Sequence, residues 1–254
     1  MTDELEDAIR HNNTGVGCLE RGDFIQALQH FETAALQLYH VANEVRAQQT
    51  SKEQSSSSFR LPHDEIDNDE DDYDGDDDEE ENDDGDEDMH FSREPPFVVE
   101  GGNSFLVSNP ILLQESLEEV SPDSCTLKSA AVVYNTGLTY HLSFHSPCGG
   151  GSSGASTADG SLVNAITLYE MSYNLGLHAP TGKRSSQIVM ASLNNLAQGY
   201  LDLGEFQKSR EHLEMMVTYI SSLEDCEDQD IATERSEFIL NATVLRVPQG
   251  AAAA

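Results

Sequence analysis

The chain contains no tryptophan, and only 13 of its 254 residues are Lys or Arg against 47 Asp or Glu, a formal net charge of −34. A surface this acidic repels nucleic acid and anionic lipid, so neutral to basic protein partners are expected, with no nucleic acid and no membrane among them. No window approaches the roughly 18 consecutive apolar residues that a membrane helix needs. The opening MTDELEDAIR is charged, with no apolar stretch of the kind a signal peptide requires. The four cysteines (Cys18, Cys125, Cys148, Cys226) form no CxxC pair. The setting expected from these absences is intracellular and cytoplasmic, with the nucleus left open. The N-x-T sequons at Asn12 and Asn241 are then chance matches.

The charge is unevenly spread. Residues 63–90 hold 19 Asp or Glu and no Lys or Arg, which leaves 28 acidic and 13 basic residues elsewhere, a balance of −15. Such a tract repels itself and has almost nothing apolar to bury, so it is expected to lack a stable fold of its own.

A spaced set of residues occurs three times. The first copy is Asn13-Thr14-Gly15 followed by Cys18, Gly22, Phe24, Ala27, Phe31 and Ala34. The second begins Asn135-Thr136-Gly137 with Tyr140 and resumes, after a Gly/Ser-rich interruption, at Ala165, Tyr169 and Ser172. The third is Asn195, Leu196, Ala197, Tyr200, Gly204, Phe206, Ser209, Leu213 and Met216. Small residues at fixed offsets let two helices approach, large ones fill the space between units, and a glycine ends the first helix of each unit. The pattern resembles the tetratricopeptide repeat. Strings such as AAVVYNTGLTYHL and NAITLYEMSYNL, with the tail EFILNATVLRVPQGAAAA, are also similar to a set of diatom-type algal proteins that join such repeats to a variable linker after the first unit.

The fold class expected is therefore all-α: a tetratricopeptide-like hairpin solenoid of three repeats plus a C-terminal helix, with a long disordered acidic insertion. The first unit covers 1–50, with Asp23 capping its second helix, and a disordered acidic linker covers 51–92. Residues 93–123 (PPFVVEGGNSFLV, SNPILLQ) form extended segments or a small hairpin against the repeats. The second unit takes 124–176, with a Gly/Ser loop at 146–160 and Ser161 capping the helix that follows. The third takes 183–224, and a capping helix and tail take 227–254.

Candidate chemistry is sparse. Gly149, Gly151 and Gly154 spell G-x-G-x-x-G, but a helix precedes them and neither a strand nor a Lys-Ser/Thr pair is in place, so a flexible linker is the better reading. Glu70, Asp72, Asp74, Gly75 and Glu81 have calcium-loop spacing inside the acidic run, without flanking helices and with Asp77 where an apolar residue belongs; weak divalent association is the most they predict. Cys125, His141, His145 and Cys148 are a zinc-type set, yet Cys125 lies at the opposite end of the same helix, roughly 20 Å from the histidines. No metal, no cofactor and no catalytic constellation is assigned, and the protein is expected not to be an enzyme.

The repeat resemblance implies a groove lined by Asn12, Val16 and Glu20 from the first unit, Tyr134, Leu138 and His141 from the second, and Asn194, Gln198, Leu201 and Asp202 from the third. The function it implies is a non-enzymatic protein–protein interaction scaffold that binds an extended peptide or partner segment in that groove. The same positions can instead be covered by the chain's own 93–123 segment. Two alternatives belong to other classes: an acidic-tract protein that binds basic, histone-like partners with the repeats as platform, and an enzyme whose site assembles in space.

Repeat proteins that grip acidic chaperone tails do so with Lys, Asn and Arg at five groove positions. Here those positions hold Asn12, Val16, Asn135, Ala191 and Asn195, so every cation is missing. A charge-assisted hydrogen bond contributes about 1.5–3 kcal/mol, and three such donors are absent. Calorimetry at physiological salt should accordingly detect no binding of an acidic chaperone-tail peptide; micromolar binding would overturn the alignment.

Overall fold

The computed structural model describes residues 2–57, 89–91, 106–114, 120–146, 156–223, 238–239 and 242–243. Six helices dominate: α1 (Thr2–Glu20), α2 (Phe24–Ser57), α3 (Pro122–His145), α4 (Ser156–His178), α5 (Lys183–Asp202) and α6 (Phe206–Ser222). Two short strands, β1 (Met89–Phe91) and β2 (Ile111–Leu113), pair antiparallel, with His90 opposite Leu112.

Consecutive helices pack on one another, and the register shows how. Across α4 and α5, Gly176 faces Val189, the Ser172 and Ser192 hydroxyls are 3.1 Å apart, and Gly199 faces Ile166, so the two helices run antiparallel. Small residues at these crossings let large neighbours in: a Cβ on Gly137 would sit 3.1 Å from the Tyr169 ring, and one on Gly199 would sit 2.9 Å from Ile166. The first helices of the three pairs, α1, α3 and α5, also touch in sequence. One continuous apolar core results, with Phe31, Leu38, Tyr134, Leu138, Leu162 and Tyr169 fully buried.

Two turns repeat the same geometry. Gly22 and Gly204 both adopt positive φ (75° and 76°), the left-handed conformation that costs a glycine little. After α1 the Gly22 N–H donates to Leu19 O and the Asp23 N–H to Cys18 O; after α5 the Gly204 N–H donates to Leu201 O and the Glu205 N–H to Tyr200 O. This double bond closes the last carbonyls of each helix and sends the chain back along itself. Asp23 then caps α2, accepting from the Gln26 N–H at 3.2 Å.

Three boundaries differ from those expected. α2 continues to Ser57, beyond the linker start expected at 51, because QQTSKEQ contains good helix formers and neither Gly nor Pro to stop it. α4 begins at Ser156 instead of being capped at Ser161; Gly160 is exposed and is carried inside the helix. At the end of the acidic stretch, 89–91 forms a strand instead of linker, since β2 offers it a free edge. The rest of the acidic tract and the 97–99 run lie outside the described residues. Of the expected C-terminal helix, 238–239 and 242–243 are helical, and Phe238 and Ala242 join the core.

Two glycines in one helix separate packing from propensity. A Cβ on Gly15 would lie 2.7 Å from the Phe31 ring, whereas one on Gly17 would meet only the tip of Arg21 at 3.4 Å. Gly15→Ala should therefore destabilise the protein by about 1–2 kcal/mol, overpacking outweighing the gain in helix propensity. Gly17→Ala should stabilise it by about 0.5–1 kcal/mol. Urea unfolding of the two variants checks the contrast, and equal shifts would refute the packing account.

Candidate functional site

An extended segment buried against helices has a hydrogen-bonding problem, because helix backbones have no spare donors or acceptors to offer it. Residues 106–114 lie against α1, α3 and α5, with Pro110, Ile111 and Leu113 buried. Their main chain is satisfied by side-chain amides. Asn13 accepts the Leu113 N–H on Oδ1 (2.9 Å) and donates from Nδ2 to Leu113 O (2.7 Å). Asn135 does the same to Ile111, at 2.8 Å in both directions. Asn195 does the same to Val107, at 2.8 and 3.1 Å. These are the asparagines that open the three recurring residue sets, so each helix pair contributes one amide and holds one residue of the segment.

The pairing follows from strand geometry. In an extended chain the N–H and C=O of one residue point to the same edge, and residues i and i+2 share that edge. Asn13 and Asn135 therefore read Leu113 and Ile111, and the opposite edge, centred on Leu112, is left for β1. Between Val107 and Ile111 stands Pro110, which brings no N–H that would need a partner.

A second layer orients the asparagines. Asn12 donates to Asn13 Oδ1 (3.1 Å) and to Ile111 O (3.0 Å), and accepts from Asn135 Nδ2 (2.9 Å). Asn194 donates to Asn195 Oδ1 at 3.2 Å. In α3 the corresponding neighbour is Tyr134, whose hydroxyl donates to Val107 O (2.9 Å) and accepts from Asn195 Nδ2 (3.2 Å). Burial pushes the Tyr134 hydroxyl far above its ordinary range, against the opposing hydrogen bond from Asn195, so it remains a donor.

Of the residues expected to line a groove, Asn12, Tyr134 and Asn194 thus sit beside the residues that hold the segment. Val16 and Leu138 are buried in the core, Leu201 is half-buried, and Glu20 is exposed as the last residue of α1. The other three come together elsewhere. His141 Nε2 and His145 Nε2 each lie 3.0 Å from one oxygen, Asp202 Oδ2, while Gln198 Nε2 donates to Asp202 Oδ1 at 2.7 Å. The Tyr169 hydroxyl lies 3.4 Å from His141 Nδ1. Burial works against ionisation of Asp202, but hydrogen bonds from the two imidazoles outweigh it and hold the carboxyl well below the usual range. Burial keeps His141 below its ordinary value despite that carboxylate.

Sequence reasoning placed Asn13, Asn135 and Asn195 among the recurring residues without giving them the segment, although their common position in all three sets was the available signal. His145 was singled out only in the zinc-type set with Cys125, His141 and Cys148. Cys125 is buried at the other end of α3, where burial raises its thiol against the opposing pull of Lys128 and Arg46; Cys148 lies outside the described residues.

Replacing Asn135 by Ala strands the buried Ile111 N–H and removes the donor to Asn12 Oδ1, while Ile111 O keeps its bond from Asn12 Nδ2, at about 1–3 kcal/mol for each unsatisfied group. Urea unfolding should show a loss of about 2–5 kcal/mol for Asn135→Ala and less for Asn195→Ala, because Val107 is only half-buried and water can replace the amide. Hydrogen exchange should quicken at the Ile111 and Leu113 amides in Asn135→Ala. Unchanged protection there would show that the asparagine does not hold the segment.

Compared with known proteins, the chain matches no family model, no curated protein and no solved structure, so its functional reading rests on the geometry above.

Proposed function

We propose that the protein is a non-enzymatic interaction scaffold, a tetratricopeptide-like solenoid whose first-helix face grips an extended segment by its main chain. The observation that carries this reading is the set of three bidentate asparagines, one from each helix pair, on Val107, Ile111 and Leu113. Main-chain recognition by amides accepts any extended chain with apolar residues at the buried positions, as in other modes that read backbone first and side chains second. The chain's own segment 106–114 occupies these amides, and a neutral to basic partner segment works by taking its place.

Releasing the segment tests the idea. Ile111 and Leu113 are 2% and 1% exposed, so Ile111→Asp with Leu113→Asp places unpaired carboxylates in an apolar site and expels the strand. A labelled peptide of residues 105–114 should then bind the variant in trans and not the parent protein, and adding Asn135→Ala should abolish the binding. Circular dichroism checks that the helices persist. A folded variant that ignores the peptide would sink the proposal.

A further inference from the structure

The His141–His145–Asp202 cluster stands apart from the asparagine contacts and does not depend on the scaffold reading. His141 and His145 are four residues apart on α3, so their rings stack over one another (centroids 5.3 Å apart, 22° between planes) and face the same way. Asp202 is the last residue of α5 and comes to them from the adjoining helix pair. A carboxylate that merely accepts from two imidazoles has two oxygens to share between them. Here both Nε2 atoms converge on the single Oδ2, while Oδ1 is engaged by Gln198.

The three ligand atoms all lie within 4.8 Å of one another, and the two N···O separations are 3.0 Å. Ligands 2.0–2.1 Å from a tetrahedral zinc ion stand about 3.3 Å apart, so each N···O pair needs only a few tenths of an ångström of opening, and a small rotation of the His145 ring sets the spacing of the two nitrogens. We infer that His141, His145 and Asp202 form a binding site for one zinc-type divalent cation, His₂Asp with water in the fourth position. Access for that water is present: the His145 and Asp202 side chains are 20% and 13% exposed, against 0% for His141. On binding, each imidazole carries its proton on Nδ1 in place of Nε2. At His141 the Tyr169 hydroxyl is there to accept it, and Gln198 holds the carboxylate; both are the outer partners that metal-ligating side chains use. The imidazoles favour a zinc-class ion over magnesium or calcium, which prefer all-oxygen shells.

The test uses the full-length protein and cobalt(II) as probe, with excess magnesium present to saturate the acidic tract. The parent protein should bind one cobalt ion with the intense visible band of four-coordinate geometry, and zinc should displace it. His145→Ala and Asp202→Asn should lose the band, and Tyr169→Phe should weaken affinity about 10–100-fold. Circular dichroism monitors folding, and His145→Gln, at a side chain in contact with solvent, serves if the alanine variant unfolds. No band in the parent, or a band that survives both His145→Gln and Asp202→Asn, overturns the site.

Discussion

Backbone amides that leave water must find partners, and in this protein that requirement decides where an entire segment lies. A helix exhausts its own donors and acceptors internally, so it can hold an extended chain only through side chains. Asparagine supplies a donor and an acceptor at the spacing of one residue's N–H and C=O. With one such residue on each of α1, α3 and α5, the segment 106–113 bridges all three helix pairs. The placement of the pairs and the path of the segment are therefore mutually dependent: moving α3 relative to α1 would break the pairing at Ile111 or at Leu113. Burial of Ile111 and Leu113 adds about 1.5–3 kcal/mol each, and the amide pairs fix the register in which that burial occurs.

Two of these helices, α3 and α5, carry a second kind of chemistry toward their C-terminal ends. There the contacts are imidazole to carboxylate, and Tyr169 joins the two regions, its hydroxyl near His141 and its ring 5.8 Å from that of Tyr134. Tyr134 in turn binds the segment at Val107. A physical path of packed aromatic rings thus runs from the His141 cluster to the segment at Val107. Both tyrosines are kept protonated by burial, so the path is made of neutral donors and acceptors.

Much of the architecture was legible in the sequence because its signals are local. The glycines that end α1 and α5, the Asp23 cap, and the small residues at helix crossings follow from short-range rules and stand where those rules put them. The end of α2 was less legible: polar composition marks QQTSKEQ as linker, while its helix propensity allows the helix to continue from a well-packed start. The partner of β2 could not be read at all, since MHF at 89–91 follows an acidic run and has no alternation long enough to mark a strand. The His141–His145 pair was visible as an i, i+4 spacing, but its third member, Asp202, is remote in sequence and meets them only through the packing of α5 beside α3. Contacts of that kind belong to tertiary structure and leave no periodic trace.

On the segment, the three asparagines bond only main-chain N–H and C=O groups, which every residue but proline offers. What they secure is a path through space and not a string of letters, so Ser108 and Asn109, which none of the three asparagines holds, are freer to drift than Ile111 and Leu113, whose burial keeps them apolar. A lineage could rewrite the letters between the held residues and preserve the lock. Residue identity would then record divergence at a place where the shape had stayed the same.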